Sequence, residues 1–190
     1  MKKVQFLLLT MMLLFARGCD FYSTSLWFFE HPEGEMNPLA RFLGFGWNGL
    51  IVANIIVVAF IVYACYFYYF KHVVAITAER PVRLTDYISE IYFQEKGKFY
   101  QILYKSPKNG KILLGHLGYV LIRVAIFGSI LATIHNLCQF YQVAAYDTFR
   151  EIVGRPLFVI YGLILLSLIY YSFRIWRKEF EHARRQLAYH

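Results

Sequence analysis

Four long apolar stretches dominate the chain, at about 4-29, 47-70, 113-140 and 156-173. A bilayer's hydrocarbon core of about 30 Å takes roughly 20 mostly apolar helical residues per crossing, and each stretch is close to that length. The pattern predicts an all-α fold: a single integral membrane bundle of four transmembrane helices occupying residues 1-190. Between the second and third stretches, about 71-112, lies the only sizeable polar part, and a basic tail follows at 174-190. About 40 residues are too few for a strong core of their own, so that part should lean on the membrane. Thr85 or Asp86 can cap a short helix there, with Tyr87, Ile88, Ile91 and Tyr92 on one face. An interfacial amphipathic helix is the simplest expectation for it, before a turn at Pro107-Lys108-Asn109-Gly110. In the tail, Phe173, Trp176, Phe180 and Leu187 recur at helical spacing, which extends the last helix along or out of the membrane surface.

Composition supports the bilayer as solvent. Hydrophobic residues make up 58% of 190, and the mean hydropathy of +0.43 is too high for a soluble fold of this size. The net charge of +8 does not point to nucleic acid, because the basic residues flank apolar spans instead of forming a patch of their own. Cys19, Cys65 and Cys138 are odd in number and lack C-x-x-C spacing, which argues against a disulfide framework or a structural zinc site. Lys2, Lys3 and the apolar run before Gly18-Cys19 imitate a lipoprotein signal, but Arg17 at the junction and the apolar sequence after Phe21 suit a helix that continues.

Charge then sets an expected orientation. With the N-terminus inside, fifteen of the 20 Lys and Arg residues fall on the inner side: the N-terminal tip, Lys71 to Lys111, and Arg174 to Arg185. The outer loops hold only Arg41, Arg150 and Arg155. Tyr66, Tyr68, Tyr69 and Phe70, together with Tyr170, Tyr171, Phe173 and Trp176, form aromatic belts on that same inner side. A multi-pass protein of the cell's inner (plasma) membrane with both termini cytoplasmic is the reading.

Polar residues inside the spans are the candidate chemistry. A central Arg or Asp costs about 2.5 to 3.5 kcal/mol on insertion scales, so each needs a reason. Thr10, Arg17, Asp20 and Thr24 share a stripe of the first helix, and Arg17 and Asp20, three apart, can pair and lock that helix to its neighbours. The third helix carries Ser129, Thr133 and Asn136 on one face near its outer end, with His135 beside them; Asn54 of the second could complete a hydrogen-bonded cluster. Towards the inner end, His116 and Arg123 lie seven apart. Arg123 should snorkel inward or meet a lipid phosphate, and Arg174, Arg177 and Lys178 are the other candidate lipid-headgroup residues.

In the first outer loop, Asn37-Pro38 is a helix-start signal, and Glu35 before it would meet the positive helix end. Asp20, Thr24, Glu35 and Asn37, with His135 as a weaker member, form the candidate polar site at the outer mouth. Asp20, Glu35, His31 and His135 could hold a cation there, although their spacing matches no metal motif and no cofactor is required. Asp20-x-x-x-Thr24 followed by Gly34-Glu35-x-Asn37-Pro38-Leu39 resembles the signature of a family of small prokaryotic multi-helix membrane proteins, a domain of unknown function, over about residues 15 to 65. The resemblance implies a multi-helix membrane domain and brings no established activity.

Three functions compete. The first is a non-catalytic subunit, scaffold or assembly factor, whose partners would be the bilayer, other membrane subunits or further copies of itself. The second is a membrane-embedded enzyme acting on a lipid or lipid-linked substrate at the outer surface, with Asp20 or Glu35 as base or metal ligand. The third is an oligomeric ion or solute carrier lined by Asp20 and Arg17. No nucleophile elbow, H-E-x-x-H or Gly-rich phosphate loop is present in the sequence.

Overall fold

The computed structural model describes residues 2–30, 46–77 and 81–187, excepting the side chains of 27–30. Among these residues the regular secondary structure is entirely helical. Four helices are long and apolar enough to cross a membrane: α1 (Lys2–Glu30), α2 (Trp47–Phe70), α4 (Gly110–Phe140) and α6 (Pro156–Gln186). Two shorter ones, α3 (Leu84–Phe93) and α5 (Ala144–Val153), lie between them, with a 3₁₀ turn at Phe99–Leu103.

Long helices consecutive in the chain run antiparallel, α1 against α2, α2 against α4 and α4 against α6, whereas α1 and α4 run parallel, with Arg17 at Ser129 and Ser23 at Asn136. Phe6, near the start of α1, meets Tyr66, Tyr69 and Phe70 at the end of α2, and the first turns of α4 reach the end of α6. Both termini, the end of α2 and the start of α4 therefore share one end of the bundle, the terminal end; the opposite end is the loop end. Helix α4 is central, packing on α1, α2 and α6. Leu13 and Ala16 of α1, Ile61 and Cys65 of α2, and Ile122 and Ile126 of α4 form the buried middle. Around them Leu7, Met11, Ile55, Ile56, Leu165 and Leu166 are exposed, as lipid-facing positions would be. The three cysteines are free.

Helices α4 and α6 have 31 residues each, about 46 Å of helix, so they outrun a hydrocarbon core of about 30 Å. The excess projects at the terminal end and supports α3. Here the expectation of an interfacial helix is corrected. Tyr87, Ile88, Ile91, Tyr92 and Phe93 of α3 are buried against Ile112 of α4 and against Trp176, Phe180 and Ala183 of α6, so its apolar face meets protein. Its N-cap is Arg83 without a side-chain cap bond, and Asp86 sits in the first turn, so neither Thr85 nor Asp86 is the cap. In the tail, the buried stripe is Ile175, Glu179 and Ala183, with Trp176 and Phe180 beside it and Phe173 exposed. That differs from the expected stripe because α3 covers the flank of α6. The outer loop expected at 141–155 contains α5, an amphipathic helix with no buried residue, closed by Gly154 at φ 71°.

Candidate functional site

The most elaborate polar constellation sits at the terminal end. Helix α2 ends where the amides of Lys71 and His72 both donate to the carbonyl of Phe67, which turns the His72 side chain back beneath the bundle. The following irregular segment is held by Tyr87, whose hydroxyl donates to the Ala75 carbonyl at 3.1 Å. Helix α4 starts at Asn109, whose side-chain oxygen accepts from the amides of Lys111 and Ile112, and this cap brings His116 into register in the second turn. Glu179 comes from the projecting part of α6.

These three side chains meet. His72 Nε2 lies 2.7 Å from Glu179 Oε1, and His116 Nε2 lies 2.8 Å from Glu179 Oε2. Their side chains are 3 to 4% exposed. His116 Nδ1 contacts the hydroxyl of Tyr92, which accepts from Trp176 Nε1 at 3.1 Å. Burial pushes the Tyr92 phenol above its ordinary range, so it stays protonated. Glycine makes the convergence possible, since a Cβ on Gly115 would stand 2.2 Å from His72 Nδ1. One donor atom from each of the three residues lies within 4.8 Å of the others, the only such group of metal-ligating side chains among the described residues.

Beside this cluster a second feature opens between the helices. A cavity of about 680 Å³ is lined by Arg123 of α4 and by Arg174, Arg177 and Lys178 of α6, with Tyr68, Tyr69 and Tyr119 among its walls. Leu8 and Leu9 of α1 supply an apolar side. Arg123 lies over the Tyr119 ring at 3.8 Å and donates to the Tyr69 hydroxyl at 3.3 Å. Lys178 Nζ donates to the Tyr68 hydroxyl at 3.1 Å, and the Tyr68 ring stacks on His72 at 5.9 Å. Tyr68 is thus the partition between pocket and cluster.

No known protein family, curated protein or solved structure matches the chain.

At the loop end, Arg17 donates to Asp20 at 2.8 Å and to Ser129 at 3.2 Å, so the expected pair forms and also ties α1 to α4. Asn136 donates to Ser23 and Thr24 across the same seam, while Thr133 turns back to the Ser129 carbonyl. Asp20 and Thr24 line a smaller cavity of about 290 Å³ together with Arg17, Trp47 and Asn54. Asn54 donates to the Leu50 carbonyl of its own helix. His135 pairs instead with the Tyr146 hydroxyl of α5 and is not among the residues that line this cavity. Glu35, Asn37 and His31, with the helix start expected at Pro38, lie outside the described residues.

The sequence marks Arg123, Arg174, Arg177 and Lys178 as lipid-headgroup candidates; their common pocket is a result of folding. It marks His116 but not His72 or Glu179. A signal existed: Glu179 falls four residues from both Ile175 and Ala183, and a carboxylate on an apolar stripe needs a buried partner. Gly115 and Gly118 flanking His116 were a second sign of close approach.

Proposed function

We propose that the chain is a multi-pass protein of the cell's inner membrane, with both termini cytoplasmic, whose terminal-end pocket binds the phosphate-bearing headgroup of an anionic lipid from the inner leaflet. One observation carries this reading: four basic side chains from two helices line a single cavity with three tyrosines, an apolar wall and one carboxylate, Glu181. Guanidinium groups suit phosphate oxygens through paired N–H donors, and Lys178 adds a point charge. Tyrosines belong at the headgroup level, and Leu8 and Leu9 offer a surface to the first acyl carbons. Glu181 holds Arg177 at 2.9 Å, so Arg123, Arg174 and Lys178 are the principal contacts. The excess of Lys and Arg at this end supports its cytoplasmic placement.

The test is thermal unfolding of the full chain in mixed micelles containing either phosphatidylglycerol or phosphatidylcholine. Phosphatidylglycerol should raise Tm, and Arg123→Gln with Arg174→Gln should remove most of that rise. Lys105→Gln with Lys108→Gln, which removes as much charge away from the pocket, should leave it intact. Equal shifts with both lipids, or equal losses in both double variants, would overturn the reading.

A second reading, a subunit of a membrane complex, draws on α6. Between Leu157 and Arg174 this helix has no buried residue, so most of its apolar length is available to a partner helix as well as to lipid. A stoichiometric partner copurifying in mild detergent, and lost when Leu165 and Leu166 are changed to Ala, would favour it.

A further inference from the structure

We propose that His72 Nε2, His116 Nε2 and a Glu179 carboxylate oxygen bind one divalent transition-metal ion of the zinc class, clamping the end of α2 to α4 and α6. This stands independently of the lipid pocket.

Donor chemistry comes first. Two imidazoles and one carboxylate form a nitrogen and oxygen set that zinc accepts, with a fourth position left for a small oxygen ligand. All three side chains are almost wholly buried, and they come from the end of α2, from α4 and from α6, with one donor atom of each within 4.8 Å of the others. Ligands 2.0 to 2.1 Å from a tetrahedral ion stand roughly 3.4 Å from one another. The present separations, from 2.7 Å between His72 Nε2 and Glu179 Oε1 up to the 4.8 Å limit of the group, straddle that value. Side-chain rotations of about an ångström would convert one arrangement into the other, on the basis of those ligand distances.

The surroundings of His116 are suited to the same role. A metal-ligating histidine directs its other nitrogen to an acceptor, which fixes the ring and its tautomer. His116 Nδ1 faces the Tyr92 oxygen, which has two lone pairs: one accepts from Trp176 Nε1–H, and the other can accept from His116 Nδ1–H. His72 is seated between the Tyr68 ring and the bare backbone of Gly115, a position that any larger residue would close. A divalent ion would also compensate the Glu179 carboxylate, a charge withdrawn from water at the foot of an apolar bundle.

Trp176 N–H can donate to Tyr92 O, Tyr92 O–H to His116 Nδ1, and both Nε2–H groups to Glu179, which gives Trp176, Tyr92, His116 and both carboxylate oxygens partners in a purely hydrogen-bonded lock. The two accounts differ in what a metal does to the protein.

The probe is Co²⁺, titrated into chelator-stripped, full-length protein in detergent. The wild type should take up one equivalent, with visible d–d bands of tetrahedral intensity, and should gain thermal stability. Glu179→Gln keeps the size of the side chain and its ability to hydrogen-bond the histidines but is a poor ligand; it should lose the bands and the Co²⁺-dependent rise in Tm. Tyr92→Phe should keep the stoichiometry and weaken affinity about tenfold, as loss of an outer-shell partner does. Asp20→Asn, at the loop end, should bind as the wild type. Folded wild-type protein that takes up no equivalent of Co²⁺, or a folded Glu179→Gln protein that binds as well as wild type, would overturn the proposal. If the variants fail to fold, the wild-type titration and its Tm shift decide by themselves.

Discussion

Gly118 of α4 lies against the backbone of Ala64 so closely that a Cβ on the glycine would stand 1.9 Å from the Ala64 carbonyl oxygen. That atom is backbone and cannot rotate aside, so the approach of α2 to α4 depends on the missing methyl. Close approach through small residues drives helix association in lipid, where apolar burial offers little net gain. The same approach delivers His72 to His116 and Glu179.

Gly118→Ala should therefore separate the two helices and destabilise the protein by about 1 to 3 kcal/mol, the usual range for overpacking. Gly128→Ala is the matched control: its Cβ would meet only the end of the Ile164 side chain at 3.3 Å, which can shift. Thermal unfolding in one detergent should show a clear drop in Tm for the first and little change for the second.

Removing Glu179 should hurt more than its neighbour does. Glu179→Ala leaves two buried histidines without their acceptor and should cost about 3 to 5 kcal/mol, the range for breaking a buried pair. Glu181→Ala loses only exposed contacts to Arg177 and Arg185 and should cost less than about 1 kcal/mol. Similar yields of folded protein for both would mean that the cluster carries no structural weight.

Arg17 and Asp20 should compensate each other. Either Arg17→Leu or Asp20→Leu alone leaves a charge in the apolar bundle, and the double change should restore much of the lost folded protein. Restoration should be incomplete, because Arg17 also donates to Ser129. A double variant no better than either single one would sink the pairing.

Topology can be read with reporters. One fused after His190 and another inserted near Asn109 should report cytoplasm, and one near Glu33 the exterior. Opposite readings at Glu33 and Asn109 would invert the orientation and place the basic pocket in the outer leaflet.

Where local sequence carries the physical signal, reading it succeeded. Trp47 to Phe70 is apolar on every side, and only a helix satisfies its backbone in lipid, so its bounds agree with those of α2. Arg17 and Asp20 are three apart on one helix, so their contact needed no tertiary information. Helix α5 leaves little signal in the sequence, because its ten residues bury nothing and its polar face resembles a loop.

The sequence by itself determined that four helices are long and apolar enough to cross a membrane, because hydropathy over some 20 residues is a local sum set against bilayer thickness. It also ranked the two ends by charge, since Lys and Arg counts need no fold. Only the tertiary structure decided that α3 faces protein instead of lipid, that four basic residues share one cavity, and that His72, His116 and Glu179 converge. His72 and Glu179 are 107 positions apart, and their meeting depends on where two glycines let helices touch. Such contacts belong to the packing of pairs of helices, and no periodicity along one strand of sequence encodes them.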